Sequence, residues 1–173
     1  MRKVRHATRP DWDTTWLAVA DVMARRSLCS RSKVGAVIVD KHNRVVATGY
    51  NGPPAGFFTP RWQTDDDMCG QLMECKHWCM RGANGPEEST LTSYEDCPSL
   101  HAELNALSVC ERRIREGGTI YITSDVCYSC AKAIANSGLQ RVVIEGLEVE
   151  HRNRERTREL LIISKLDVAY VQR

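Results

Sequence analysis

A chain of 173 residues, 42% apolar and 27% charged, has enough material for one domain with a sizeable core and too little for two. Lys and Arg number 24 against 22 Asp and Glu, and the formal charge of +2 argues against a nucleic-acid or membrane-surface binder on charge grounds. The charged start, Met1 to His6, runs into Asp11 and Asp13 without an apolar core, so neither a secretory signal nor a membrane span is predicted, and the expected compartment is the cytoplasm.

Trp12, Trp16, Val19, Ala20 and Met23 recur at helical spacing and predict an amphipathic helix ending near Arg26. The apolar run Val34 to Val39 reads as a buried strand. A polar turn, Asp40 to Asn43, joins it to a second strand, Val45 to Tyr50, as a hairpin. From Asn51 to about Leu100 the chain has scattered Gly, Pro, Asp and Ser and little periodicity. A loop of that length is functional or is held by something other than a core.

Regular structure returns with a helix expected over Ala102 to Glu116, ended by Gly117 and Gly118. A strand follows at Thr119 to Thr123, then a helix from Tyr128 to Ser137 stopped by Gly138, and a strand at Arg141 to Glu145. A charged helix from about Asn153 to Ile163 and a strand near Val168 to Val171 complete the chain. Strand, helix, strand, helix, strand implies parallel pairing through right-handed crossovers. The predicted fold is α/β: a three-layer α/β/α domain over residues 1–173 with a mixed five-stranded sheet and a Cys-rich insert at about 57–99.

The chemistry concentrates in His101-Ala102-Glu103 and Cys127-Tyr128-Ser129-Cys130. One imidazole and two thiolates supply three protein ligands to zinc and leave a fourth position for water, the pattern of a catalytic site. Both segments start helices, where free backbone N–H groups and the positive end of the dipole favour thiolate and a developing oxyanion. Glu103, two residues from the histidine, reaches a metal-bound water without ligating the metal. Either motif alone is weak, but the pairing is the signature of zinc nucleobase deaminases.

The chain resembles the deoxycytidylate deaminase branch of the cytidine deaminase-like superfamily from about Trp12 to Val171. The resemblance is carried by Cys29-Ser30-Arg31-Ser32-Lys33-Val34-Gly35-Ala36-Val37-Ile38-Val39, by Thr48-Gly49-Tyr50-Asn51-Gly52-Pro53-Pro54-Ala55-Gly56 and by His101-Ala102-Glu103-Leu104-Asn105-Ala106-Leu107. One departure is visible: Val126 stands where the family usually has Pro before the first cysteine. The resemblance implies a zinc-dependent deaminase of a free deoxycytidine nucleotide, dCMP or a 5-substituted relative. It also implies that His101, Cys127 and Cys130 hold Zn2+, with Glu103 carrying protons to N3 and to the departing amine. By the same resemblance the Ala102 N–H meets O2 of the base, Asn51 contacts the sugar hydroxyl, and Ser124 belongs to the substrate site. For the phosphate, Arg112 is the first candidate, three helical turns after His101, with Arg113 and Lys33 as alternatives.

Of the eight cysteines, Cys69, Cys75, Cys79 and Cys97 lie in the insert and Cys29 just precedes the first strand. In a chain without a secretory signal, metal ligation is a stronger explanation than a disulfide framework. Relatives with cysteines in similar places suggest a closed four-thiolate structural zinc at Cys29, Cys75, Cys79 and Cys97, with Cys69 and His77 as substitutes. Cys110 reads as a core residue. The resemblance further implies a homo-oligomer, often a hexamer, and dCTP and dTTP as effectors, with Mg2+ accompanying the triphosphate. Two other classes stay open on the residues alone: another deaminase of the superfamily (nucleoside, guanine, riboflavin-pathway or tRNA) and a zinc-stabilised binding protein without catalysis.

Overall fold

The computed structural model describes residues 9–29, 31–54, 97–146 and 154–173. In chain order these form α1 (Trp12–Ala24), β1 (Gly35–Val39), β2 (Val45–Tyr50), α2 (Ala102–Ser108) and α3 (Arg112–Arg115). Then come β3 (Thr119–Ile122), α4 (Tyr128–Ala135), β4 (Arg141–Glu145), α5 (Arg154–Ile163) and β5 (Asp167–Val171). The strands form one sheet in the order β2-β1-β3-β4-β5. β1 pairs antiparallel with both β2 and β3, whereas β3, β4 and β5 run parallel. This is the mixed five-stranded sheet expected from the alternation of elements in the second half.

Every residue of β1 is buried because the strand is central and covered on both faces. Val37 and Val39 of β1, Tyr121 of β3 and Val143 of β4 point to one face, where Leu17 and Ala20 of α1 cover them. Ala36, Ile38, Ile120, Ile122, Val142 and Ile144 point to the other, under α2, α4 and α5. The two-residue side-chain period of a strand thus separates two cores. Asp11 caps α1, accepting from Thr14 N at 2.7 Å. Gly138, at φ 88°, terminates the turn after α4.

Two features set the site. α2 lies directly on β2, and a β-carbon on Gly49 would stand 2.2 Å from the Ala102 carbonyl oxygen, so only glycine permits this approach. The helix expected over Ala102 to Glu116 is two helices, interrupted at Val109 to Glu111. The break is held from outside the local pattern: Arg115 Nη1 donates to the Cys110 carbonyl and, at 2.8 Å, to the Leu107 carbonyl, which also accepts from the backbone N–H groups of Val109 and Cys110. Cys110 is buried in the core beneath this break. Cys69, Cys75, His77 and Cys79 lie outside the described residues.

Candidate active site

His101 and Cys127 occupy equivalent backbone positions. Each is the N-cap of its helix, α2 and α4, with φ −73° in both and ψ of 153° and 158°. The Cys127 side chain caps α4, whereas the His101 imidazole makes no capping bond to α2. The imidazole meets both thiols: Nδ1 lies 3.4 Å from Cys127 Sγ and 3.3 Å from Cys130 Sγ. All three donor atoms lie within 4.8 Å of one another. Tetrahedral zinc at ordinary bond lengths sets sulfur and nitrogen ligands about 3.6 Å apart, so this donor set fits the ion.

The electrostatics of the donors point the same way. The Cys127 thiol is brought down to about 4 by the hydrogen bond from Cys130, aided by His101 and by the Cys130 backbone N–H. The Cys130 thiol is pushed far up by that same bond and by burial. The His101 imidazole is raised, chiefly by its bond to Cys127. Two thiolates this close repel, and a dication among them relieves the conflict and deprotonates both. Cys130 N donates to Cys127 Sγ at 3.4 Å, which sets the thiolate at the mouth of α4.

Glu103 is 3% exposed, and burial raises its carboxyl above the ordinary range. It lines a cavity of about 240 Å3 together with His101, Ala102 and Cys127. Ala102 opens α2, so its N–H has no helical acceptor and is available to a ligand. The opposite wall comes from the first half of the chain: Cys29, Arg31, Ser32, Val34 and Asn51. Ser124 and Asp125 close it at the carboxyl end of β3, where sheets with parallel strands bind ligands.

Asn51 is 9% exposed and holds this wall together: its Oδ1 accepts from Val34 N and its Nδ2 donates to Ser32 O, both at 2.8 Å. One amide proton and one lone pair remain for a bound molecule. Thr123 Oγ1 accepts from Gly35 N at 3.0 Å, and Asn105 Nδ2 donates to Tyr50 O at 2.7 Å, so the walls are joined above and below.

The structure therefore brings together His101, Ala102, Glu103, Cys127, Cys130, Asn51 and Ser124. Cys29 and Cys97 line the same cavity, whereas their expected partners Cys75 and Cys79 are outside the described residues. Arg112 is not in the lining. The helical-face argument that aimed it at the site fails because α2 ends at Ser108, and Arg112 Nη1 instead donates to the Asn136 carbonyl at 3.1 Å. The cation in the lining is Arg31, two residues beyond Cys29. Its signal in the sequence was its place between a cavity cysteine and the buried strand β1. Asp125 carried a signal too, as a polar residue between the end of a strand and the first cysteine of the pair.

The family model for the cytidine and deoxycytidylate deaminase zinc-binding region matches residues 10–145. The chain belongs to that family. It is 43% identical over 139 residues to the deoxycytidylate deaminase of Mycobacterium phage D29, covering 79% of this chain and 95% of that one. It is 35% identical over 136 residues to the deoxycytidylate deaminase of Schizosaccharomyces pombe, covering 78% of this chain and 37% of that protein. The crystal structure of dCMP deaminase from the cyanophage S-TIM5 in complex with dCMP and dUMP aligns over 95% of this chain and 100% of that one. Its TM-score is 0.66 at 25% identity. Family members share a zinc-binding region, and among the described residues the His101, Cys127 and Cys130 cluster is the one group of donors close enough to hold a metal. No described helix is long and apolar enough to cross a membrane.

Proposed function

We propose that this protein hydrolyses dCMP to dUMP and ammonia, water supplying the oxygen of a new C4–O bond as the C4–N bond of cytosine breaks. The observation that carries the proposal is the buried Glu103 carboxyl in one cavity with the His101, Cys127 and Cys130 donor set. A purely structural zinc has no use for an acid held there. The reading is supported by relatives named deoxycytidylate deaminase and by the similarity to a structure containing dCMP and dUMP.

His101, Cys127 and Cys130 would hold zinc, which when bound supplies Lewis acidity and a water acidic enough to act near neutral pH. Glu103 accepts a proton from the attacking water and delivers protons to N3 and to the leaving amine, a role suited to a buried carboxyl of raised proton affinity. The Ala102 N–H donates to O2 of the base. Asn51 keeps the wall at Ser32 to Val34 in place and offers its remaining amide proton to the sugar hydroxyl, while Ser124 borders the nucleotide. Arg31, an exposed guanidinium in the lining, takes the phosphate in place of Arg112.

Zinc-loaded protein is incubated separately with dCMP, CMP, dCTP, deoxycytidine, 5-methyl-dCMP and dGMP, following ammonia and product. Conversion of dCMP to dUMP, lost in Glu103→Gln, is the expected result. Turnover of other monomers with dCMP untouched would refute the substrate assignment. The reading extends to a closed four-thiolate zinc at Cys29, Cys75, Cys79 and Cys97, supported by two of these cysteines lining the cavity. Two zinc ions per chain support it, and one rules it out. It extends also to a homo-oligomer activated by dCTP with Mg2+ and inhibited by dTTP, for which light scattering and initial rates with each triphosphate are the measurements.

A further inference from the structure

The loop that presents Cys127 is held by a side chain from the far end of the chain. Thr123 N donates to the Gly35 carbonyl at 3.1 Å, and Cys127 caps α4. Between them, the backbone N–H groups of Ser124, Asp125 and Val126 find no protein acceptor among the described residues. Val126 is packed in the core, and the polar hold on this stretch is Asp125. Arg154, the first residue of α5, donates from Nε to Asp125 Oδ1 at 3.0 Å, and its Nη2 meets the same oxygen. The guanidinium carbon lies 5.1 Å from the centre of the Tyr170 ring on β5, a cation–π contact that orients it. The Arg154 side chain is 13% exposed and that of Asp125 30%, so the pair is more sheltered than an ordinary surface ion pair.

Its position gives this pair two effects. Zinc nucleobase deaminases carry proline immediately before the first cysteine, which fixes the backbone there. Val126 occupies that position in this chain, packed in the core but without the ring that locks φ. Asp125 also brings a carboxylate to the wall of the cavity. Uncompensated, it would repel an anionic nucleotide.

We infer that Arg154 is a positioning residue for the active site: through Asp125 it fixes the loop carrying the metal ligand Cys127, in place of a proline at position 126, and cancels a negative charge in the substrate cavity. The inference rests on the reading of this cavity as the zinc and nucleotide site. Neither residue touches the reacting atoms.

The test follows zinc loss from the full-length, zinc-loaded protein to a chromogenic chelator, alongside thermal melting and, separately, KM for dCMP and deoxycytidine. Arg154→Ala and Asp125→Asn are each expected to speed zinc loss by about tenfold, the usual effect of losing a partner behind a metal ligand, and the double variant no further. Arg154→Lys, which keeps charge but not the two-pronged contact, should fall between wild type and Arg154→Ala. Adding Val126→Pro to Arg154→Ala should slow zinc loss again, a rescue that a general loss of stability would not show. Arg154→Ala should also raise KM for dCMP more than for deoxycytidine. Zinc loss unchanged in Arg154→Ala, or fast loss that Val126→Pro does not slow, overturns the inference. If Arg154→Ala does not fold, Arg154→Lys and Asp125→Asn decide the question by the same criteria. Zinc retention is read without substrate, so a wild-type protein inactive on dCMP would defeat the substrate reading and leave this test intact.

Discussion

Arg31 and Arg112 differ by what their guanidinium groups face, and that difference is measurable. Arg31 borders the cavity, while Arg112 donates to the Asn136 carbonyl. Arg31→Glu is expected to raise KM for dCMP by about ten- to a hundredfold, the scale of a lost hydrogen bond to a charged group, and to leave KM for deoxycytidine nearly unchanged. Arg112→Glu should change neither. Steady-state kinetics on the two substrates decide the matter, and equal effects on both at Arg31 would remove it from the phosphate site. Glu103→Gln keeps the volume of the side chain and loses its proton chemistry. kcat should fall by about 10²- to 10⁴-fold, with zinc content by metal analysis unchanged. Asn51→Ala strands Val34 N and Ser32 O near the cavity. A loss of stability of about 1–3 kcal/mol is expected from denaturant unfolding.

Elements matter to the site through close approach. Gly49 of β2 faces the carbonyl of Ala102 at 2.2 Å and the Ala106 nitrogen at 2.6 Å from where a β-carbon would stand. Gly49→Ala should push α2 off the sheet, cost about 1–3 kcal/mol in melting experiments, and displace His101 and Glu103 with it. The strands were legible in the sequence with little error, Val45–Tyr50 and Arg141–Glu145 to the residue, because short β-branched stretches bounded by turn residues have few other uses. The meeting of His101, Cys127 and Cys130 was equally legible, since these donor types are rare and sit at helix starts. The division of Ala102 to Glu116 into α2 and α3 was not. Leu104, Leu107 and Cys110 continue a helical period through the break, which depends on Arg115 reaching back to two carbonyls. The placing of Arg112 on the site-facing side rested on that unbroken helix, and the place of Arg31 in the cavity lining was not legible because the loop between α1 and β1 has no period from which a direction can be read. The grip of Arg154 on Asp125 joins elements that are remote in sequence and has no local pattern.

Across the whole molecule, ion pairs fasten the α1 face to the second half of the chain. Arg141 on β4 donates two hydrogen bonds to Asp13, at 2.6 and 2.8 Å, and one to Asp167 at 2.8 Å. Arg173 reaches Asp21 and Glu145, both at 2.6 Å. Tyr121, 3% exposed, lies beside this group, and burial followed by the Asp13 carboxylate pushes its phenol up to about 12. The unfolded chain releases that proton near pH 10, so the folded state holds a proton that the unfolded state gives up. The linked stability is complete below about pH 10 and is lost as pH rises through about 12. Melting temperatures between these limits should fall less steeply in Tyr121→Phe than in wild type. The spacing of the site residues also has a consequence for the order of assembly. His101 is separated from Cys127 by 26 positions and from Cys130 by 29, whereas Gly35 and Thr123, which join the two cavity walls, are 88 apart. Shorter loops close at lower entropic cost. A refolding chain therefore brings His101, Cys127 and Cys130 together at a lower entropic cost than it docks the first-half wall of the cavity.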